Sequence, residues 1–187
     1  MTWNKPIFII AALLLTATHL FAEGISGDSI YNLESEWKNQ DNITMRMADL
    51  QGKPQVLAMA YTSCPHVCPL IINDMQQIDQ ELSSEISPNV GLVIVSIDPA
   101  RDTPEQLKSY AKKRGLDPNR WTLLTGDEDS ILELAAVLGF KYKEVAGGDF
   151  SHSNLINIID QEGVLVHQQV GLKQDPKESA AQLKKLF

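Results

Sequence analysis

Two cysteines stand directly after an apolar stretch, and this placement constrains the fold more than any other feature of the chain. The stretch Gln55–Tyr61 is a continuous apolar run, which predicts a β-strand buried on both faces. Cys64 and Cys68 follow in a loop, and a helical pattern then continues to about Leu82. A strand that leads through such a loop into a helix places both thiols at the N-terminus of that helix.

The rest of the chain alternates between strand and helix patterns. Irregular residues from Ser29 to Asn42 predict a leader strand or an extended arm ahead of the core. The later segments are, in order, the buried strand Val90–Ile97, a helix from Pro104 to Gly115, the strand Trp121–Leu124, the helix Asp129–Leu138, a hairpin of Ser153–Ile159 and Val164–Gln169, and an amphipathic helix from Asp175 to Phe187. This order, with the cysteines after the first buried strand, predicts an α/β protein with a thioredoxin-like fold, in which helices flank a central mixed β-sheet.

Length and charge exclude several classes of protein. A chain of 187 residues with 43% hydrophobic and 21% charged residues is long enough for one packed domain. This composition excludes a disordered tail, a collagen-like fibre and a multi-span membrane protein. The 16 Lys and Arg residues against 24 Asp and Glu residues give a formal charge of −8. So acidic a chain is not expected to bind nucleic acid, although it can meet a cationic metal or a basic protein surface.

The first 22 residues have the pattern of an export signal. Lys5 precedes the apolar core Ile7–Ala17, and Ala22 is a small residue suited to the position before a cleavage site. The core is shorter than the roughly 20 apolar residues that cross a membrane, although an uncleaved N-terminal anchor remains an alternative. We therefore expect an exported protein, in the bacterial periplasm or at the outer face of the inner membrane, whose single domain spans residues 23–187.

Cys64 and Cys68 are four residues apart. On a helix this spacing puts both thiols on one side, one turn from each other. Two thiolates from one segment suit Cu(I) or Zn(II), and the N-terminus of a helix lowers the pKa of a thiol. Outside the cytosol the same pair can also close a disulfide bond, either as a redox-active group or as a purely structural bridge.

Two thiolates leave a metal under-coordinated, so a third ligand is sought among the histidines of the predicted domain. His66 lies between the cysteines, where a solvated loop position is the ordinary role. His167 falls within the second hairpin strand, where an outward-facing imidazole is the ordinary outcome. His152 stands just before a predicted buried strand, and in a thioredoxin-like sheet the loop entering that strand lies beside the cysteine-bearing helix. From the residues alone, a ligand role and a non-ligand role for His152 remain equally open.

Three sequence blocks, in this order and separation, carry a more specific signal. They are Tyr61–Pro69 (YTSCPHVCP), Ser96–Pro104 (SIDPARDTP) and Asp149–Ser153 (DFSHS), the last of which precedes a strand and an Asp160–Gly163 turn. Together they resemble the Sco/SenC family, which are copper-binding proteins of cytochrome c oxidase assembly.

The resemblance implies a thioredoxin-like fold that binds one copper ion through Cys64, Cys68 and His152. It further implies that the copper passes to the copper-bearing subunit of cytochrome c oxidase or to another exported copper protein. Alternatively, the thiols reduce the cysteines of the oxidase's dinuclear copper centre, which requires a thiol reductant as a further partner. Asp98 is similar to the family's acidic residue near the site, where it would orient or neutralise the ligands; capping the proline-rich turn is an equal alternative.

A function of another class also fits the cysteine pair. A thiol-disulfide oxidoreductase acting on exported proteins would use Cys64 and Cys68 as its redox-active pair. Thioredoxin-type reductases use C-x-x-C and resemble one another in a cis-proline before the strand that faces the dithiol. This chain has one more residue between its cysteines, and it has no proline between Pro118 and Pro176, where His152 stands. These departures favour the copper-binding interpretation, and the spacing and the histidine also argue against a thiol peroxidase.

Overall fold

The computed structural model of the chain describes Met1 and residues 27–187, so nearly all of the predicted export signal lies outside the described residues. The β-strands are Glu36–Asn39 (β1), Thr44–Arg46 (β2), Gln55–Ala60 (β3), Gly91–Ser96 (β4), Trp121–Thr125 (β5), Tyr142–Val145 (β6), Asp149–His152 (β7), Leu155–Ile159 (β8) and Leu165–Val170 (β9). The α-helices are Cys68–Gln80 (α1), Pro104–Arg114 (α2), Glu128–Val137 (α3) and Pro176–Lys184 (α4). Within this described part, no helix is long and apolar enough to cross a membrane.

Seven strands form one mixed sheet in the order β2-β1-β5-β4-β3-β8-β9. At its centre β3, β4 and β5 run parallel to one another. β8 pairs antiparallel with β3, and β9 pairs antiparallel with β8. At the opposite edge β1, which lies within the predicted leader segment, pairs antiparallel with β5 and β2. The structure therefore confirms the predicted α/β protein with a central mixed sheet.

The central strands β3, β4 and β8 are buried along their whole length. Helices cover the sheet: α1 packs against β3 and α4, α2 packs against β5 and β1, and α4 packs against β8 and β9. Because side chains on either face of a central strand meet other apolar groups, such a strand needs no polar positions. This is why the unbroken apolar runs of β3 and β4 were sufficient to predict both strands.

Three of the α-helices named above begin at a side-chain cap. Before α2 the Thr103 hydroxyl accepts the backbone N–H of Gln106 at 3.3 Å. Before α3 the Asp127 carboxylate accepts the backbone N–H of Ser130 at 2.7 Å. Before α4 it is the Asp175 carboxylate, which accepts the backbone N–H of Lys177 at 3.0 Å. Helix α2 is followed by its C-cap Gly115, whose φ of 65° is the left-handed conformation that glycine adopts without a steric penalty. These local signals account for the agreement between the predicted and observed ends of α2.

The hairpin of β6 and β7 is absent from the sequence-based prediction. Its strands form a separate two-stranded sheet, in which Tyr142 lies opposite His152. Most side chains of these strands are exposed or half-buried, so the apolar run that marks a buried strand is missing. The turn contains Gly147 and Gly148, with φ of 92° and 76°. What was predicted as a loop before the β8 strand is therefore an ordered hairpin that ends at His152.

Two leucines of α3 test how far the core determines stability. Leu134 is 0% exposed and Leu132 is 60% exposed, although the two are only two residues apart on the same helix. We expect Leu134→Ala to lower the free energy of unfolding by about 2–5 kcal/mol, because it leaves a cavity in the core. Leu132→Ala is the matched control and should change that free energy by less than about 0.5 kcal/mol. Urea denaturation followed by circular dichroism measures both, and equal losses would contradict the packing described above.

Candidate metal centre

The segment after β3 carries the two cysteines. Helix α1 begins at Cys68, so Cys64 remains in the preceding loop. Both thiols are free and buried, with 7% of Cys64 and 1% of Cys68 exposed. The backbone N–H of Tyr61 donates to Cys68 Sγ at 3.4 Å, and the backbone N–H of Cys68 donates to Cys64 Sγ at 3.4 Å. The end of β3 and the first turn of α1 therefore fix the positions of both sulfur atoms.

The two thiols differ in acidity. Burial opposes ionisation of Cys64, but N–H groups of Cys68, His66 and Val67 and the Cys68 thiol donate to it, and the net effect lowers the pKa of the Cys64 thiol. Burial raises the pKa of Cys68 well above its usual range, and the neighbouring Cys64 raises it further. The expectation of low pKa values at the helix N-terminus is therefore correct for Cys64 and wrong for Cys68, because desolvation outweighs the backbone donors at the deeper thiol.

Sheet topology brings His152 to the cysteines. Because β8 is antiparallel to β3, with Ala58 opposite Ile156, the start of β8 lies beside the end of β3. His152 comes three residues before β8 and Cys64 comes four residues after β3, so both side chains reach the same edge of the sheet. His152 Nε2 lies 3.8 Å from Cys68 Sγ.

The imidazole of His152 is held in a defined orientation. Its Nδ1 lies 2.8 Å from the Ser153 carbonyl oxygen, which can only accept a hydrogen bond. Nδ1 therefore carries the proton, and in the neutral ring Nε2 keeps the lone pair that a metal needs. The ring stacks on Phe140, with 5.8 Å between centroids, and meets the edge of Tyr61 at 5.9 Å. The atom nearest the sulfurs is thus the one equipped to be a ligand.

Three donor atoms, from Cys64, Cys68 and His152, all lie within 4.8 Å of one another. Two sulfurs and one imidazole nitrogen form a donor set that suits copper or zinc and suits hard cations badly. His66 and His167 do not belong to this group: His66 is exposed in the loop, and His167 lies on β9 opposite Ile158. Of the histidines considered as third ligands, the structure therefore brings His152 alone to the thiols.

Asp98 lies in the turn after β4. Its carboxylate forms an ion pair with the Arg101 guanidinium, and its side chain is 5% exposed. The backbone carbonyl of Asp98, and not its carboxylate, accepts the N–H groups of Arg101 and Asp102. The carboxylate of Asp98 therefore acts on Arg101, whereas the turn is closed by main-chain hydrogen bonds.

Several residues around the centre were not identified from the sequence as parts of a site. The Tyr61 hydroxyl donates to the Asp149 carboxylate and accepts the backbone N–H of Phe150 at 3.4 Å. Buried Asp102 accepts the backbone N–H of Thr62 at 2.9 Å, which holds the start of the cysteine loop. Burial is the main cause that raises the pKa of Asp102. Tyr61 and Asp149 are 88 residues apart, and nothing in the sequence pattern pairs them.

Comparison with known proteins shows which family the chain belongs to. The SCO1/SenC family model matches residues 28–187, which include both cysteines and the histidine. The chain belongs to the SCO1/SenC family. The resemblance seen in the three sequence blocks is therefore confirmed.

Solved structures of Sco proteins share the fold. Copper-bound ScoI of Bradyrhizobium japonicum is 29% identical, with a TM-score of 0.69 over 82% of this chain and 97% of that chain. A SCO1/SenC family lipoprotein of Bacillus anthracis is 28% identical, with a TM-score of 0.74 over 84% and 95% of the two chains. BsSco, described as a member of the Sco family of cytochrome c oxidase assembly proteins, is 24% identical, with a TM-score of 0.70 over 81% and 90%. These similarities confirm the thioredoxin-like fold.

The unequal acidity of the thiols predicts an order of chemical modification. In the reduced, copper-free chain, iodoacetamide should alkylate Cys64 at least tenfold faster than Cys68. The thiolate is the reacting species, and Cys64 has both the lowered pKa and the greater exposure. The rate at Cys64 should rise with pH and reach half its maximum at a lower pH than the rate of an unperturbed thiol does, because the pKa of Cys64 is lowered. Peptide mass spectrometry measures the order. In urea the two rates should become equal, whereas faster reaction of Cys68 in the folded chain would contradict the assignment.

Proposed function

We propose that this chain is an exported copper-binding protein that holds one copper ion through Cys64, Cys68 and His152. The observation that carries the proposal is the convergence of two sulfurs and one imidazole nitrogen within 4.8 Å. A donor set with two thiolates favours soft Cu(I), and the imidazole adds the nitrogen donor that Cu(II) prefers. The copper-bound state of the Bradyrhizobium japonicum relative supports copper over zinc.

The recipient that we propose is the dinuclear copper centre of cytochrome c oxidase, on the copper-bearing subunit of that enzyme. The description of the Sco family as oxidase assembly proteins supports this choice. The predicted export signal in residues 1–22, the lipoprotein relative and the proposed oxidase recipient together favour the periplasm or the outer face of the inner membrane. In this role copper is cargo, so the site must release the ion as well as bind it.

The cysteines should be indispensable for binding. We expect the reduced full chain to take up one copper ion. Cys64→Ser or Cys68→Ser should lower the Cu(I) affinity at least a hundredfold, because one thiolate with nitrogen or oxygen donors is a weak site for a soft ion. Competition with a chromophoric Cu(I) chelator measures the affinity. Stoichiometric copper in either variant against that chelator would refute the shared-thiolate site. Ser63→Ala is the matched control in the same loop and should bind as the unaltered chain does.

His152 should matter more for one oxidation state than for the other. His152→Ala should weaken Cu(II) binding at least tenfold more than Cu(I) binding, because two thiolates alone can hold Cu(I) whereas Cu(II) prefers additional nitrogen donors. The thiolate-to-Cu(II) charge-transfer absorption and the electron paramagnetic resonance spectrum report the change. His66→Ala and His167→Ala are the controls and should leave both affinities within about twofold, which is less than 0.5 kcal/mol. A lost spectrum in the His66 variant with an intact one in the His152 variant would move the third ligand to His66.

A second function rests on the unequal thiols. A thiol-disulfide oxidoreductase needs one accessible thiolate and one resolving thiol, and Cys64 and Cys68 differ in that direction. Cys64 would attack a disulfide bond of an exported protein, forming a mixed disulfide and releasing one of that protein's thiolates. Cys68 would then attack the sulfur of Cys64, which closes the Cys64–Cys68 bond and releases the second thiol. Two electrons thus reach the client, and a thiol reductant restores the pair.

Oxidation connects the two functions and can be tested directly. Oxidised glutathione should close the Cys64–Cys68 bond with release of two reduced glutathione molecules, and the chain should lose the mass of two hydrogen atoms. The closed form should not bind copper, because both thiolates are consumed in the S–S bond. Mass spectrometry followed by copper titration measures both effects. Cys68→Ser, which cannot close the bridge, should retain one glutathione adduct, and full copper affinity in the oxidised chain would contradict the thiolate site.

A further inference from the structure

Arg101 connects the turn after β4 to the β6–β7 hairpin. Its Nε forms an ion pair with the buried Asp98 carboxylate, and its Nη2 donates to the backbone carbonyl of Gly148 in the hairpin turn. Its guanidinium carbon lies 5.9 Å from the ring centroid of Tyr61 and 5.9 Å from that of Phe150. One side chain thus contacts the turn after β4, the turn of the hairpin, and the rings of Tyr61 and Phe150.

The hairpin that Arg101 contacts carries the third donor. Its two strands pair with each other and not with the seven-stranded sheet, so its placement depends on side-chain contacts. On one side the Tyr61 hydroxyl bonds to Asp149, and on the other the Arg101 guanidinium bonds to Gly148. His152 lies at the end of β7, three residues beyond Asp149. A shift of the hairpin therefore changes the distance from His152 Nε2 to the sulfurs.

We propose that Arg101, oriented by Asp98, is a positioning residue that holds His152 beside the thiols. This inference rests on the proposed copper-binding function. The planar guanidinium presents several N–H donors in a fixed fork, so one of them can bind the carboxylate while another binds the carbonyl. Asp98 is the anchor, because its buried carboxylate fixes one edge of the fork. The acidic residue therefore acts on the metal centre through Arg101 and the hairpin, without touching the ligands.

The cysteines are positioned by other means. The sulfurs of Cys68 and Cys64 accept the backbone N–H groups of Tyr61 and Cys68, whereas Arg101 approaches Tyr61 only at its ring. Loss of Arg101 should therefore affect His152 and spare the two sulfurs. A general loss of stability would instead affect His152 and the two sulfurs together.

Hydrogen exchange on the copper-free chain tests whether Arg101 holds the hairpin in place. In Arg101→Ala, backbone amides of residues 142–152 should exchange at least threefold faster, while those of β3 and α1 keep their rates. Arg101→Lys should be intermediate, because one ammonium group cannot reproduce both directed contacts. Arg114→Ala is the matched control: Arg114 also lies over a tyrosine ring, 5.3 Å from the centroid of Tyr110, but it is at the end of α2. Unchanged exchange in the hairpin of Arg101→Ala would overturn the proposal.

Copper affinities of the same variants test whether Arg101 positions His152 for copper binding. Arg101→Ala should lower Cu(II) affinity at least tenfold and Cu(I) affinity less than threefold, with Arg114→Ala unchanged for both. In a His152→Ala background the Arg101 substitution should add less than a twofold loss, because its target is gone. Equal losses for both ions, or an undiminished loss in that background, would overturn the positioning role. If the unaltered chain binds no copper, the proposed function fails, and the exchange experiment still decides whether Arg101 holds the hairpin.

Discussion

The antiparallel pairing of β8 with β3 is the interaction on which the metal centre depends. β3 leads directly into the cysteine loop, and β8 begins three residues after His152. In a parallel arrangement the start of β8 would lie at the far end of the sheet from the cysteines. Reversal of one central strand is therefore what joins donors that are 84 residues apart. The complete burial of β3 and β8 makes this pairing part of the hydrophobic core, which fixes where the cysteine loop and the start of β8 meet.

Packing also makes the two sulfurs chemically unequal. Cys68 is the first residue of α1 and is enclosed by the core. Desolvation of its thiolate therefore raises the pKa more than the backbone N–H donor lowers it. Cys64 lies one turn earlier in the loop, where converging N–H groups outweigh a smaller desolvation cost. Binding a cation to both sulfurs removes this inequality, because the positive charge compensates each thiolate directly. A closely spaced pair can thus serve either metal binding or stepwise thiol exchange with the same two side chains.

A structural feature of this chain can be predicted from the sequence when the residues that determine it are close together in the chain. The strands β3 and β4 and the helix α2 were predicted because their apolar runs, Thr103 cap and Gly115 end are written in consecutive residues. The β6–β7 hairpin was not predicted, since its half-exposed strands lack an apolar run. The cysteine pair was evident from its spacing, whereas the role of His152 depended on topology. The bond from Arg101 to Gly148 leaves no trace in the sequence, because any residue at the turn supplies a backbone carbonyl.

Because the hairpin forms its own two-stranded sheet, the residence time of a bound ion and the lifetime of the folded chain need not depend on the same part of the structure. The sulfurs belong to the hydrophobic core, whereas the imidazole belongs to a small unit with mostly exposed strands. Units of this kind open locally at a free energy below that of global unfolding. If copper binds as proposed, the residence time of the ion would depend on how often the hairpin opens, and the lifetime of the folded chain would depend on the core. Substitutions on the exposed side of the hairpin would then change the rate of copper release without changing the stability of the core.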